Sequence, residues 1–292
     1  MKNVMQINYW TIGGFDNAKP VADALREARD MGYEGMELAF GGGVFGPDTD
    51  EKTCRGYRDA AEKLGMRIAS VASGTYWDLP LSSPDAGVRE RAVAFARSHL
   101  RAASFVGAET VLVIPGVVAV PWEPSRPVTP YAEACKWASQ SVWKLLPTAD
   151  RYGVDIGLEN VWNWFLSDPV AMKTFIDQFN HYRVGSYFDV ANCVINGCPE
   201  HWIDLLGHRI KAVHFKNYSR NDDCGGGLHG FGEDLLRGDV DWATVVQALE
   251  RIGYAGPVTA ELIPFCRLPD LTLPDLALAR DNAPRLARIM GK

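Results

Sequence analysis

The chain has 292 residues, with 36 acidic and 30 basic side chains and a formal net charge of −6. Hydrophobic residues make up 47% of it and charged residues 23%, which is ordinary globular usage and excludes disordered, collagen-like and coiled-coil chains. The acidic balance argues against a nucleic-acid partner, since such proteins usually present a basic surface.

No segment is apolar over a length that could cross a bilayer. The longest apolar stretch, 108–120, is interrupted by Glu109, Pro115 and Gly116 and falls short of the roughly 20 residues that a spanning helix needs. The first residues lack the apolar segment of a signal peptide, and the six cysteines form no CxxC pair. We therefore expect a cytoplasmic protein with no membrane contact and no thiolate zinc site.

One local pattern recurs along the chain: the end of an amphipathic helix, then a glycine, then a short β-rich run. The glycine suits the left-handed backbone that ends many helices, and the apolar run is typical of a buried parallel strand. The pattern predicts repeated βα units. Its glycines are Gly32, Gly65, Gly107, Gly153 and Gly253.

Eight such strands are predicted, each followed by a helical pattern. The last helix before the eighth strand is predicted over 241–252, with Asp241 as its N-cap. The strands are predicted near 4–10, 35–40, 67–73, 110–115, 155–161, 184–190, 210–217 and 257–263.

Eight βα units in a chain of this length predict an α/β fold, a (β/α)8 TIM barrel that forms a single domain over 1–292. A doubly wound open sheet is the alternative fold. Such a sheet often has a GxGxxG turn after its first strand, and residues 11–15 of this chain do not match that motif. Long loops near 116–129 and 218–240 follow strands, so we expect both on the catalytic face of the barrel.

Each of the last four predicted strands carries one polar side chain that a metal could bind: Glu159, Asp189, His214 and Glu261. Their immediate neighbours are mostly apolar and are expected to face the helices, so the polar side chains face the barrel axis. Because adjacent strands lie about 4.8 Å apart, these four side chains can converge on one point.

Three carboxylates gathered inside a barrel repel one another and lose solvation, and a divalent cation removes that penalty. Two Glu, one Asp and one His suit Mn²⁺, with Mg²⁺ or Co²⁺ as other choices. Taken singly, a buried Glu is usually an ion-pair partner and a buried His a hydrogen-bonded core residue. Their common phase on consecutive strands favours a metal site.

At these residues the chain resembles the sugar isomerase/epimerase superfamily, the xylose isomerase-like TIM barrels. The resemblance rests on ENVW at 159–162, FDVAN at 188–192, HFKN at 214–217 and GDVDW at 238–242, ahead of Glu261. Within the superfamily the chain is similar to the ketose 3-epimerases and to the L-ribulose/L-xylulose-5-phosphate 3-epimerase group.

The resemblance implies a metal-dependent isomerase that epimerises a ketose at C3. Glu159, Asp189, His214 and Glu261 would hold the metal, and Glu159 and Glu261 would exchange the proton through an enediolate. Arg220 keeps the spacing of a substrate-binding arginine in this family. Asn192 stands where free-ketose epimerases often have a histidine. We also expect a homo-oligomer, a dimer or tetramer, with a small sugar as substrate.

Four further residues are predicted to contact substrate, each with a plainer alternative. Lys216 shares the phase of His214 and reaches either a substrate oxygen or a neighbouring carboxylate. Glu37 binds sugar hydroxyls or pairs with a basic residue. His229 lies in a glycine-rich loop, where a solvated side chain is the alternative. Trp162 belongs to a group near strand ends that stacks on sugar faces or packs in the core or at an interface: Trp10, Trp77, Trp122, Trp162 and Trp164.

The ligand set leaves the reaction outcome open. The same proton removal can lead to epimerisation, to aldose–ketose isomerisation, or to loss of a β-substituent, as in a dehydratase or a lyase acting on a keto-sugar, inosose or keto-glycoside, including a C-glycoside-cleaving type. An endonuclease IV-like nuclease shares the barrel but needs several more histidines and a basic surface. A non-catalytic binding protein has no need of the four ligands.

The chemical group at the end of the substrate away from the metal is also left open. Arg220, Lys216 and the glycines at 225–227 favour a phosphate or carboxylate tail. We favour a neutral sugar or glycoside-derived ketose instead, because the eighth strand is followed by no basic cluster beyond Arg267. Arg126 and Arg267 are interpreted as surface residues.

Overall fold

The computed structural model describes residue 1, residues 3–221 and residues 227–292. Eight parallel strands close into a barrel in chain order, with β8 paired to β1. This confirms the predicted TIM barrel. The strands are β1 Met5–Asn8, β2 Gly35–Ala39, β3 Ser70–Ala72, β4 Thr110–Val113, β5 Asp155–Glu159, β6 Val184–Asp189, β7 Ile210–Phe215 and β8 Val258–Ala260.

Helices surround this barrel and connect successive strands. They are α1 Tyr9–Gly13, α2 Val21–Asp30, α3 Glu51–Lys63, α4 Ala86–Val106, α5 Tyr131–Trp143, α6 Leu146–Tyr152, α7 Pro169–Asp177, α8 Pro199–Leu206, α9 Trp242–Arg251 and α10 Leu276–Met290. None of the helices in the described part of the chain has both the length and the apolar character needed to cross a bilayer.

Capping residues set most of the helix boundaries. All five glycines of the recurring pattern have the positive φ predicted for them. Asp241 caps α9 as predicted, its carboxylate accepting a hydrogen bond from the backbone N–H of Thr244. The same type of cap begins four other helices, with Asp50, Asp85, Asp168 and Asp275.

The first strand is shorter than the predicted 4–10, and a polar side chain is the reason. Asn8 accepts a hydrogen bond from the N–H of Trp10 at 2.9 Å and so begins the short helix α1. Its side-chain amide also donates to Glu37 at 2.6 Å. Asn8 therefore ends the strand and anchors a buried carboxylate at the same point.

The 116–129 loop is held against the loop that follows β5. The backbone N–H groups of Val118 and Ala119 both donate to the carbonyl oxygen of Asn163 at 3.0 Å, and the Asn163 side chain donates to Gly116 O at 2.7 Å. The N–H of Thr129 donates back to Val118 O, which closes the loop on itself. Part of the 218–240 loop, residues 222–226, lies outside the described residues.

Inside the barrel, a missing side chain on β5 makes room for a large one on β6. A Cβ placed on Gly157 would lie 3.0 Å from Tyr187 Cβ and 3.1 Å from Thr110 Cγ2. Both neighbours are buried, and Tyr187 is also held by hydrogen bonds below the polar cluster. Gly157 is therefore required for packing and not for an unusual backbone conformation.

We predict that Gly157→Ala lowers the free energy of unfolding by about 1–3 kcal/mol, the usual cost of overpacking a filled core. Gly56 is the matched control, because it lies mid-helix in α3 and a Cβ there meets nothing within 4 Å. Gly56→Ala should raise stability by up to about 1 kcal/mol through helix propensity. Urea unfolding of both variants checks this, and equal stability of the two would contradict the packing argument.

Candidate metal centre

The four polar side chains predicted to converge do so at the carboxyl ends of β5 to β8. Glu159, Asp189, His214 and Glu261 each offer one ligand atom, and these atoms all lie within 4.8 Å of one another. Asp189 and His214 are neighbours in the register of β6 and β7. Glu261 follows β8 directly, and its N–H continues the pairing by donating to Phe215 O.

Distances from the His214 ring describe a compact group. Its Nδ1 atom lies 3.8 Å from Glu159 Oε1, 3.8 Å from Asp189 Oδ2 and 3.6 Å from Glu261 Oε2. Two ligand atoms that each lie about 2.1 Å from one octahedral cation are separated by about 3.0 Å when adjacent and about 4.2 Å when opposite. The observed separations are therefore within the range for atoms that share an ion.

Two buried atoms of this group have unused bonding capacity. Within the described residues, His214 Nδ1 and Asp189 Oδ2 have no hydrogen-bond partner, although Lys216 Nζ lies 3.0 Å from the latter. Both residues are completely buried. Since buried polar atoms are rarely left without a partner, this fits a bound cation, and the oxygen-rich donor set with one imidazole suits Mn²⁺, Mg²⁺ or Co²⁺.

Glu37 lies on the other side of the His214 ring. One of its oxygens accepts hydrogen bonds from His214 Nε2 at 2.8 Å and Asn8 Nδ2 at 2.6 Å. The other accepts from Ser70 at 2.7 Å and from the Tyr187 hydroxyl. Glu37 does not line the cavity above the cluster. Of its two predicted uses, the structure shows the pairing with a basic residue.

This arrangement orients the imidazole. With Nε2 donating to Glu37, Nδ1 points toward the three other ligands, which is the usual arrangement of a metal-binding histidine and its supporting carboxylate. The same inward phase that identified the ligands also applies to Tyr187 and Thr259, two residues before Asp189 and Glu261. Neither residue was identified from the sequence, although this phase was the available signal: Tyr187 contacts Glu37, and Thr259 accepts a hydrogen bond from Gln6.

Asp189 is fixed by two asparagines. Asn160 exchanges hydrogen bonds with the backbone of Asp189 in both directions, each at 2.9 Å. The backbone N–H of Asn192 donates to Asp189 Oδ1 at 2.8 Å, and the Asn192 side chain donates to Asn160 O. Asn192 also lines the cavity, so it contacts both a candidate ligand and the space where a substrate would bind.

Lys216 enters the cluster as an ammonium whose side chain is 12% exposed. Its Nζ lies 2.6 Å from Glu261 Oε2, and it also faces the ring of Phe231. Burial alone would lower the pKa of Lys216, but Asp189, Glu261 and Glu159 raise it above its ordinary value. The sequence left open a substrate oxygen or a neighbouring carboxylate as its partner; the carboxylate contact is present.

The two cavity-facing carboxyls are not equivalent. Burial raises the pKa of Glu159 to about 7, with repulsion from Glu261 adding to it. Burial also acts to raise the pKa of Glu261, but Lys216 and His214 outweigh it and hold that pKa below its ordinary value. Burial lowers the pKa of His214, yet the carboxylates Glu37, Glu261 and Glu159 together raise it well above 6.5.

A cavity of about 860 Å³ opens above the cluster. Glu159 and Glu261 line it and are 7% and 6% exposed, whereas Asp189 and His214 are fully buried. Trp162 also lines it and donates from its indole N–H to Asn192 O at 2.7 Å. The four candidate ligands thus divide into two that face a substrate-sized space and two that lie beneath it.

Other predicted residues lie elsewhere. Arg220 is half exposed, and its backbone and guanidinium lie against Asp239. His229 is partly exposed in the turn Leu228–Gly230. Neither lines the cavity, and the glycines at 225 and 226 are outside the described residues. Arg126, interpreted as a surface residue, is 32% exposed and also lines the cavity, because the tertiary fold brings its loop over the barrel.

Comparison with known proteins agrees with this architecture. The family described as Xylose isomerase-like TIM barrel matches residues 25–287. The chain belongs to this family. A search among curated protein sequences finds no match.

Solved structures show the same fold at low sequence identity. D-psicose 3-epimerase from Clostridium cellulolyticum H10, solved with D-tagatose, is similar with a TM-score of 0.77 and 17% identity, covering 99% of this chain and 98% of that one. The 3-keto-D-glucoside 4-epimerase from E. coli is similar with a TM-score of 0.70 and 16% identity, and the match covers 99% of each chain. A xylose isomerase domain protein from Planctomyces limnophilus is similar with a TM-score of 0.70 and 21% identity, covering 100% of this chain and 99% of that one.

Proposed function

We propose that this protein is a divalent-metal-dependent carbohydrate epimerase that moves a proton at a carbon next to the carbonyl of a keto-sugar. The observation that carries the proposal is the position of Glu159 and Glu261, which belong to the buried four-ligand group and also line the cavity. Membership of the xylose isomerase-like family and the similarity to sugar epimerases support it.

Glu159, Asp189, His214 and Glu261 would hold one cation, with Mn²⁺ the first choice and Mg²⁺ or Co²⁺ the others. When bound, the cation polarises the substrate carbonyl as a Lewis acid and makes the neighbouring C–H more acidic. Glu37 keeps the His214 ring in the orientation that binding needs. Asn160 and Asn192 keep the Asp189 carboxylate aimed at the same point.

Glu159 and Glu261 would carry the proton. They come from β5 and β8, three strands apart in the ring, so their carboxyls approach the cavity from different sides. One removes the proton from one face of the carbon, and the other supplies a proton to the opposite face, which inverts the centre.

Substrate contacts by Asn192, Trp162 and Lys216 are proposed from their place in the cavity wall. Lys216 Nζ holds Glu261 ionised and lies within reach of a substrate oxygen bound beside it. Arg220 and His229 stay predictions, as do the homo-oligomer and the cytoplasmic location. The nuclease alternative has no support in the cluster, which contains one histidine.

We predict that His214→Ala loses most of its bound metal. Manganese-loaded protein is dialysed and its metal content measured by elemental analysis, with His208→Ala as the control because that histidine is exposed on the surface. The control should retain about one ion per chain and His214→Ala far less. Equal metal content in the two variants would exclude His214 as a ligand.

We predict that Mn²⁺ affinity rises with pH between about 5.5 and 7.5. Below its pKa of about 7 the Glu159 carboxyl holds a proton that a cation must displace, and His214 holds another because its pKa is raised. Each proton released contributes up to about tenfold in affinity per pH unit. Calorimetric titration at several pH values measures this, and an affinity independent of pH contradicts it.

We predict that the manganese-loaded enzyme exchanges a substrate C–H proton with D₂O. The panel is D-fructose, D-tagatose, D-psicose and 3-keto-glucosides, read by NMR. Deuterium at C3 of a 2-ketose, or beside the carbonyl of a 3-keto-glucoside with inversion, indicates an epimerase. Deuterium at C1 of a 2-ketose, or at C2 of an aldose formed from it, indicates an isomerase. Loss of a substituent indicates a lyase or dehydratase.

Glu159→Gln and Glu261→Gln should each slow exchange by about 10²- to 10⁴-fold, the usual contribution of a general acid or base. Glu109→Gln is the control, because Glu109 is exposed and pairs with Arg67. Metal content is measured in the same samples, so that a lost proton carrier is distinguished from a lost cation. Absence of exchange with every sugar of the panel would refute both epimerase and isomerase.

A further inference from the structure

The cavity above the metal centre is larger than a monosaccharide requires. A hexose has about twelve non-hydrogen atoms and fills on the order of 200 Å³, whereas cavities for drug-sized ligands span roughly 300–1,000 Å³. The cavity of this protein measures about 860 Å³. A sugar placed against Glu159 and Glu261 would therefore leave most of the space open, on the side formed by the loops.

The loop side of the cavity has an aromatic wall. Trp77 and Trp122 meet edge to face, with ring centroids 5.0 Å apart and planes inclined by 74°. Trp10 and Phe15 form a second pair at 6.2 Å. All four line the cavity, and two ring pairs of this kind offer faces and edges to another flat ring.

Arg126 on this wall is already paired with neighbouring carboxylates. The Arg126 guanidinium contacts the carboxylates of Glu123 and Asp78 and donates to the carbonyl oxygen of Trp77. The Ser73 hydroxyl accepts from the backbone of Thr75. Around Trp77 and Trp122 the wall therefore offers ring surfaces and charges that are already paired, whereas the polar side chains of Asp16 and Asn17 line the cavity next to Phe15 in the sequence.

We propose that the substrate is a keto-sugar linked to an aromatic group, an aryl glycoside in chemical class, and that Trp10, Phe15, Trp77 and Trp122 bind the aromatic group. This rests on the proposed function, which places the sugar at the metal centre. The keto-sugar lies against Glu159, Glu261 and Lys216, and the aromatic group occupies the loop side. Binding energy from the remote ring then contributes to reaction at the sugar, so a free ketose is the poorer substrate.

Binding of phenyl β-D-glucopyranoside and methyl β-D-glucopyranoside to the manganese-loaded protein tests the proposal. Neither compound has a proton next to a carbonyl, so neither is turned over, and calorimetry reports binding whether or not the proposed reaction occurs. We expect the phenyl compound to bind at least 10-fold more tightly, equivalent to about 1.4 kcal/mol. Equal affinities, or no binding of either, would overturn the aromatic subsite.

Variants of the aromatic residues test which side chains cause the preference for the phenyl compound. Trp122→Ala and Phe15→Ala should each reduce the preference for the phenyl compound by at least threefold, with metal content unchanged. Phe15 is 53% exposed, so its replacement leaves the fold intact even if Trp122→Ala does not fold. Trp143→Ala is the matched control, since Trp143 is 48% exposed and packs on Phe179 away from the cavity. A preference that survives in Phe15→Ala, or is lost in Trp143→Ala, contradicts the assignment.

A failure of this test is distinct from a failure of the proposed function. Deuterium exchange with the ketose panel reports the chemistry at the metal centre, whereas the two glucosides report only the cavity wall. Exchange without a phenyl preference would leave an epimerase of small sugars and remove the aromatic subsite.

Discussion

Negative charge is concentrated in one buried volume at the carboxyl end of this barrel, and the surrounding structure compensates for it. Glu37, Glu159, Asp189 and Glu261 surround a single imidazole, and their mutual repulsion and lost solvation would be costly without partners. The ammonium of Lys216 and the ring of His214 supply part of the compensation. A divalent cation would neutralise the remaining negative charge, which is why we propose that the four ligands bind one.

The need to support these buried charges also explains why the barrel interior is polar beneath the cluster. Gln6 donates to Ser70 at 2.6 Å and to Thr259 at 2.7 Å, and the Tyr187 hydroxyl donates to Glu37 and lies 3.0 Å from Ser70 Oγ. These side chains come from different strands and are all buried. A network with its members hydrogen-bonded holds each one in place, so the ring of His214 and the carboxylate of Glu37 are supported from below as well as from the side.

The strands and the loops have separate roles in this molecule. The strand ends place the candidate ligands, and the same fold occurs in epimerases that share only 16–18% of their residues with this chain. The loops after the strands build the rest of the cavity and bring Trp77, Trp122 and Arg126 to it. Chemistry at the strand ends and selectivity in the loops is the usual division in TIM barrels, and the aromatic wall is where we place the selectivity of this protein.

The sequence by itself determined the eight βα units, the five helix-ending glycines and the four side chains that converge on the barrel axis. Each follows from local rules, because strand side chains alternate, helices repeat every 3.6 residues and glycine accepts a positive φ. Only the tertiary structure decided that Glu37 supports His214, which lies 177 residues away. It also decided that Arg126 joins the cavity wall and Arg220 does not, since no periodic pattern governs where a loop side chain meets another part of the chain.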